Sequence, residues 1–229
     1  MSRFSIKGSL RFGWETTKHH FLFLVGLIVI AIVLSSMTSW LLSIAVNENP
    51  FLGFIAWAVN AIVSILISMG IIYITLEFCD RKTPAYKDLL TPYPLFFKYL
   101  LASILYGLVT FIGFVLLIIP GIFFAIKYGM YRYLVIDKGL GPIDALSKSG
   151  EITHGAKWKL LGFSIIVGLI NIGGALLVGF GLLVTIPLTI IATAHVYRTL
   201  LQGTETVPNG GVPASTPGAP IVPSISAVE

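Results

Sequence analysis

The sequence predicts an all-α membrane protein. It reads as a six-transmembrane-helix bundle built as three helical hairpins, each preceded by a cytoplasmic interfacial amphipathic segment. Three observations predict this. Of 229 residues, 56% are hydrophobic and only 11% charged, against about a quarter charged in globular chains. Mean hydropathy is +0.92, and apolar runs of about 18 residues or more, the length a membrane span needs, recur along the chain. Lys and Arg flank these runs instead of interrupting them, as orientation signals do.

Taken in order, the N-terminal segment is basic, with Arg3, Lys7, Arg11 and Lys18. The first span is then Phe21–Val46, a run of 26 residues, too long for a signal-peptide core. Asn47-Glu48-Asn49-Pro50 forms a turn with no Lys or Arg. The second span, Phe51–Phe78, like the first, is roughly 40 Å long as a helix and crosses a ~30 Å core with tilt. The third span is Tyr99–Ile119, ended by Pro120-Gly121, the candidate helix break. The fourth, Ile122–Ile136, is short. The last apolar block, Leu160–Leu201, would be roughly 60 Å as one helix and must fold back. Gly179-Phe180-Gly181 is the expected hinge, giving spans at 160–178 and 182–201. The transmembrane domain is thus 1–202.

Residues 203–229 hold five prolines and four glycines with no Lys, Arg or aromatic residue. That composition predicts a disordered cytoplasmic tail.

Charge placement sets the orientation. Thirteen of the 15 Lys and Arg lie in the N-terminal segment, after span two, after span four, or at Arg198. The intervening turns have none. Lys/Arg-rich loops stay in the cytoplasm, so both termini are inside. Parity then requires the short fourth span to cross. The basic residues are interleaved with Asp and Glu beside apolar runs, which argues against a nucleic-acid partner.

The leading segments of the first and third hairpins share a weak repeat. At an offset of 136, Leu10 meets Leu146, Glu15 meets Glu151, Thr17 meets Thr153 and Gly26 meets Gly162.

No catalytic or metal-binding pattern is present. The histidines His19, His20, His154 and His195 do not cluster, and HExxH, P-loop, GxSxG and GxGxxG motifs are absent. Cys79 is the one cysteine and excludes an intrachain disulfide. The spans hold no midplane carboxylate of the kind cation-coupled carriers use. Asn60, Asn171, Ser103/Gly107 and Thr185/Thr189/Thr193 read as close-packing and hydrogen-bonding positions between helices. The chain is therefore expected to be non-enzymatic, with no catalytic residue, metal or cofactor.

Two cations remain, Lys127 and Arg132, both in the short fourth span. Arg132 lies roughly 7–8 Å below Asp137 along an upright helix and can snorkel beside Tyr131 and Tyr133. By depth, Glu77 is its acid. Lys127 lies roughly 15 Å deep, where a Lys costs about 2.5–3.5 kcal/mol to insert, so it should face a partner, a wet cleft or a phosphate. Lys127 and Arg132 are the candidate lipid- or anion-binding residues.

The stretch PGIFFAIKYGMYRYLVIDKGLGPIDALSKSGEITHGAKWKLLG, with GLLVTIPLTIIATAHVYRTL after it, carries a family resemblance. It resembles the poorly characterised prokaryotic integral membrane proteins related to the membrane domain of some glycerophosphodiester phosphodiesterases. The matching positions are Pro120-Gly121, Lys127, Asp137, Gly141-Pro142, Ala145-Leu146, Ser149, Thr153, Gly155, Gly181, Pro187 and Tyr197-Arg198. The family commonly has an aromatic where this chain has Gly150. The resemblance spans 116–201 and implies a six-helix protein of the prokaryotic cytoplasmic membrane. It does not imply phosphodiesterase activity, which belongs to a separate catalytic domain.

The reading is a multi-pass membrane protein that interacts with membrane lipids, or with a second copy or another membrane protein. The alternative is a small-solute or anion transporter built on repeated hairpins.

Overall fold

In the computed structural model of the chain, the structure describes residues 5–48, 50–176 and 181–205. Among these the protein is helical, with no strand. Nine α-helices follow one another: α1 (Ile6–His19), α2 (Phe21–Glu48), α3 (Pro50–Cys79), α4 (Phe96–Leu116), α5 (Ile118–Tyr128), α6 (Tyr131–Lys138), α7 (Pro142–Ile152), α8 (Lys157–Leu176) and α9 (Leu182–Glu205). Two short 3-10 helices, Tyr86–Leu90 and Tyr93–Leu95, precede α4. Five stretches are long and apolar enough to cross a membrane: Phe21–Ile44, Phe51–Cys79, Tyr86–Leu116, Lys157–Leu176 and Leu182–Thr204.

The expected fourth span is not one helix. Its residues divide between α5 and α6, which Gly129 and Met130 separate. Helix α4 also stops at Leu116, four residues before Pro120. The reason is local. Proline has no N–H for the carbonyl of the residue four positions earlier, and its ring clashes with that carbonyl. For Pro120 that residue is Leu116. The chain turns extended at Leu117 (φ −167°, ψ 152°), and Pro120 sits in the first turn of α5, where its missing N–H costs nothing. Pro120-Gly121 therefore breaks the helix one turn upstream of itself.

Three pairs organise the packing: α2 lies along α3, α4 along α5 and α6, and α8 along α9. The first and last pairs are joined through Asn49 and through residues 177–180, outside the described residues. Part of the expected Gly179-Phe180-Gly181 hinge lies there too. So does the tail from 206 on, while α9 continues three residues past 202.

The second member of each pair lies inside. Helices α3, α6 and α9 pack centrally, α3 against both of the others. Met69, Ile74, Leu134, Val135, Ile191, Ala192, Val196 and Leu200 are fully buried there. The first members lie outside and keep apolar side chains uncovered. On α8, Ile165, Leu169, Ile172 and Leu176 are exposed at helical spacing. Leu101, Ile104, Leu108 and Phe111 do the same on α4. Such stripes would be unstable against water and match a lipid surface.

The order is cyclic. Each leading segment rests on the preceding pair: α1 on α9, Tyr86–Leu90 on α3, and α7 on both α4 and α6. The buried faces of α1 and α7 correspond at the offset of 136. Ser9, Gly13 and Thr17 are buried on α1, and Ala145, Ser149 and Thr153 at the matching places. Small residues permit these contacts. A Cβ on Gly13 would come within 2.6 Å of the Leu188 carbonyl.

Candidate functional site

The site grows from the break between α5 and α6. A helix interruption leaves backbone groups without intrahelical partners, and in an apolar setting each costs free energy. Here α7 supplies them. Ser149 Oγ donates to the Lys127 carbonyl at 3.0 Å and accepts from the Met130 N–H at 3.2 Å. Thr153 Oγ1 lies 3.0 Å from the same carbonyl. Two hydroxyls one turn apart thus hold the broken leg together from outside.

This fixes Lys127. Its stem runs against Gly150: a Cβ there would lie 3.0 Å from Lys127 Cε. Glycine at position 150 thus leaves room for the lysine stem. The ammonium sits over the Tyr128 ring, 4.7 Å from its centroid. A cation–π contact of this kind offsets part of the desolvation cost. No carboxylate among the described residues pairs with it. One turn earlier on the same face of α5 is Phe123, and Lys157 at the start of α8 places its ammonium 4.2 Å from that ring. Sequence reasoning missed Lys157, since it looks like one of several flanking lysines. Only the fold brings it beside α5.

Arg132 is separate. It is exposed, donates through Nε to the Tyr131 hydroxyl at 3.2 Å, and lies 5.7 Å from that ring. Tyr131 in turn stacks on Tyr106 and donates to Ser103 Oγ at 3.0 Å. Glu77 does not take the expected place beside Arg132. It pairs with Lys82 at 3.5 Å. The structure does not bring Lys127 and Arg132 into direct contact.

The acids near the spans have other work. Arg198 binds Asp137 Oδ2 at 2.7 Å and Asp80 Oδ2 at 2.6 Å. Tyr197 donates to the same Asp137 oxygen at 2.7 Å. This knot joins the ends of α6 and α9 to the residue just after α3.

The remaining polar residues pack helices. Thr38 and Ser39 meet Asn60 across α2 and α3, and Asn171 reaches Thr189 across α8 and α9. Gly113 and Gly121 bring α4 and α5 into close approach, and a Cβ on Gly113 would lie 3.0 Å from Gly121 Cα. Among the described residues no group of three His, Cys, Asp or Glu forms a metal site. No family model, curated protein or solved structure matches this chain.

Proposed function

We propose that the chain crosses a prokaryotic cytoplasmic membrane six times, with both termini inside, as a non-enzymatic lipid-interacting protein centred on Lys127. In this reading α5 and α6 together form the fourth crossing. Lys98 Nζ, at the start of α4, donates to the Gly139 carbonyl just past α6 at 2.8 Å, which supports a leg that returns to the level where α4 began. The chain from Ile118 to Lys138 then spans roughly 30 Å as helix, about one hydrocarbon core.

The observation that carries the lipid reading is the unpaired Lys127 ammonium. Its own carbonyl is satisfied by Ser149 and Thr153, its stem is housed by Gly150, and no carboxylate among the described residues opposes it. A cation prepared in this way at the edge of an apolar bundle suits a phosphate-bearing headgroup. Arg132, exposed beside Tyr131, supplies a second and distinct cation on the same leg. A largely apolar flank beside Lys127 favours lipid over a transported solute, which would need a polar path. The chemistry of the resemblance's catalytic domain has no residues here to perform it.

Native mass spectrometry of the full chain extracted with its lipids tests this. The wild type should retain phosphatidylglycerol in preference to phosphatidylethanolamine, and Lys127→Gln should lower that retention about fivefold. Equal retention by both proteins would remove Lys127 from the account.

A further inference from the structure

The outer surface of the second and third pairs carries a groove between α5 and the start of α8. Its volume is about 500 Å³, and Ile119, Ile122, Phe123, Ile126, Trp158 and Leu161 form most of its walls. Lys157 is the single charged residue of the lining, and no carboxylate is part of it. Trp158 is 85% exposed at the rim, the position of an aromatic anchor at a membrane interface. The groove shares Ile122, Ile126 and Leu161 with a second cavity of about 430 Å³, which extends to Tyr106, Ser164 and Thr193. Together they offer a long apolar trough with a cation at one end.

The cyclic packing supplies an internal comparison. The equivalent seam, between α2 and α9, also holds a crevice, of about 330 Å³. Leu24, Leu27, Ile186, Pro187 and Ile190 line it, with no charge. At the offset of 136, Phe21 stands where α8 has Lys157, and Leu22, 88% exposed, stands where it has Trp158. Of the inner helices, α3 has no Lys or Arg and α9 has only Arg198, already held by two carboxylates. Both seams are shaped for a hydrocarbon chain. Only the α5–α8 seam adds cations, Lys157 in its wall and Lys127 one turn along α5 from Phe123.

We infer that the α5–α8 groove binds one acyl chain of an anionic glycerophospholipid, with the lipid phosphate against Lys157. The charge complementarity names the occupant. An isoprenoid or neutral lipid would leave Lys157 with only the Phe123 ring, and a free phosphate would leave the apolar trough empty. The inference rests on the lipid reading above and makes it specific: headgroup at Lys157, chain toward Ile119, Ile122 and Leu161.

The test uses the full chain with Trp14, Trp40 and Trp57 replaced by Phe, so that Trp158 is the one fluorophore of its kind. It is reconstituted in phosphatidylcholine vesicles doped with acyl-brominated phosphatidylglycerol or with acyl-brominated phosphatidylcholine. Brominated phosphatidylglycerol should quench Trp158 at about fivefold lower mole fraction. Lys157→Gln should abolish that preference, and Ile122→Phe, which fills the groove without altering charge, should weaken quenching by both lipids. Equal quenching by the two lipids, or a preference that survives Lys157→Gln, overturns the inference. So does loss of the preference on adding inorganic phosphate with no change in Ile122→Phe, which marks a free-anion site. If Lys127→Gln reduces lipid retention in native spectra while the Lys157 and Ile122 variants behave as wild type, the groove falls and the Lys127 reading stands. The reverse pattern keeps the groove and removes Lys127.

Discussion

Arg198 Nη1 donates to Asp137 Oδ2 at 2.7 Å, tying the last helix to the end of the broken leg α5–α6. The pair is well covered, with side-chain exposures of 18% and 14%, whereas Asp80, the second acid on Arg198, is 39% exposed. Asp137→Ala takes from Arg198 its covered partner and from the Tyr197 hydroxyl an acceptor, at about 1–3 kcal/mol with Asp80 still on Arg198, while an exposed partner is worth about 1 kcal/mol or less. Asp137→Ala should therefore lower the thermal stability of the detergent-solubilised protein more than Asp80→Ala. Equal effects would mean that the knot is not organised around Asp137.

The break at Gly129-Met130 gives a second prediction. Ser149 serves both the Lys127 carbonyl and the Met130 N–H, while Thr153 Oγ1 divides its one proton between the Lys127 carbonyl at 3.0 Å and the Ser149 carbonyl at 2.8 Å. Ser149→Ala leaves a buried donor without its partner, at about 1–3 kcal/mol. Thr153→Val should cost less, because Ser149 still covers the carbonyl. The two should not add in the double variant, since they share an acceptor. Thermal unfolding of the three proteins measures this, and simple additivity would show that the hydroxyls act independently.

Glycines of the paired helices give a third. A Cβ on Gly174 would come within 2.9 Å of Thr185 Cγ2 and 3.2 Å of the Gly181 backbone, whereas Gly168, on the same helix, has nothing within 4 Å. Gly174→Ala should destabilise the α8–α9 pair by about 1–3 kcal/mol through overpacking. Gly168→Ala should be neutral or stabilising by about 0.5–1 kcal/mol through helix propensity. Unfolding midpoints in detergent distinguish the two, and a neutral Gly174→Ala would contradict the close approach.

Much of this architecture was legible in the sequence, because lipid imposes a simple rule: long apolar runs become helices. The second predicted span, Phe51–Phe78, differs from α3 by one residue at each end. The structure interrupts the helix at Leu117, with Pro120 and Gly121 inside α5, since a proline acts on the carbonyl four residues before it. The division of α5 from α6 was not legible. Gly129 alone does not stop a helix, and the hydroxyls that complete the break come from Ser149 and Thr153, about twenty residues away. Lys127 could be singled out from the sequence as a cation inside an apolar run; the structure leaves it half-buried, over the Tyr128 ring. Lys157 could not, because nothing in the local sequence places it over Phe123. Arg198's two acids were also hidden: each sits at the end of a different apolar run, and only the convergence of the inner helices joins them.

The central claim is that α5 and α6, each too short to cross alone, together return the chain through the membrane and place Lys127 within it. Accessibility of a cysteine at position 148 on a Cys79→Ser background tests this most directly. In intact cells, Lys148→Cys should resist a membrane-impermeant maleimide and react once the membrane is opened, matching a control at Arg81→Cys. Labelling of position 148 from outside, with position 81 protected, would show that the second pair does not return and would contradict the account.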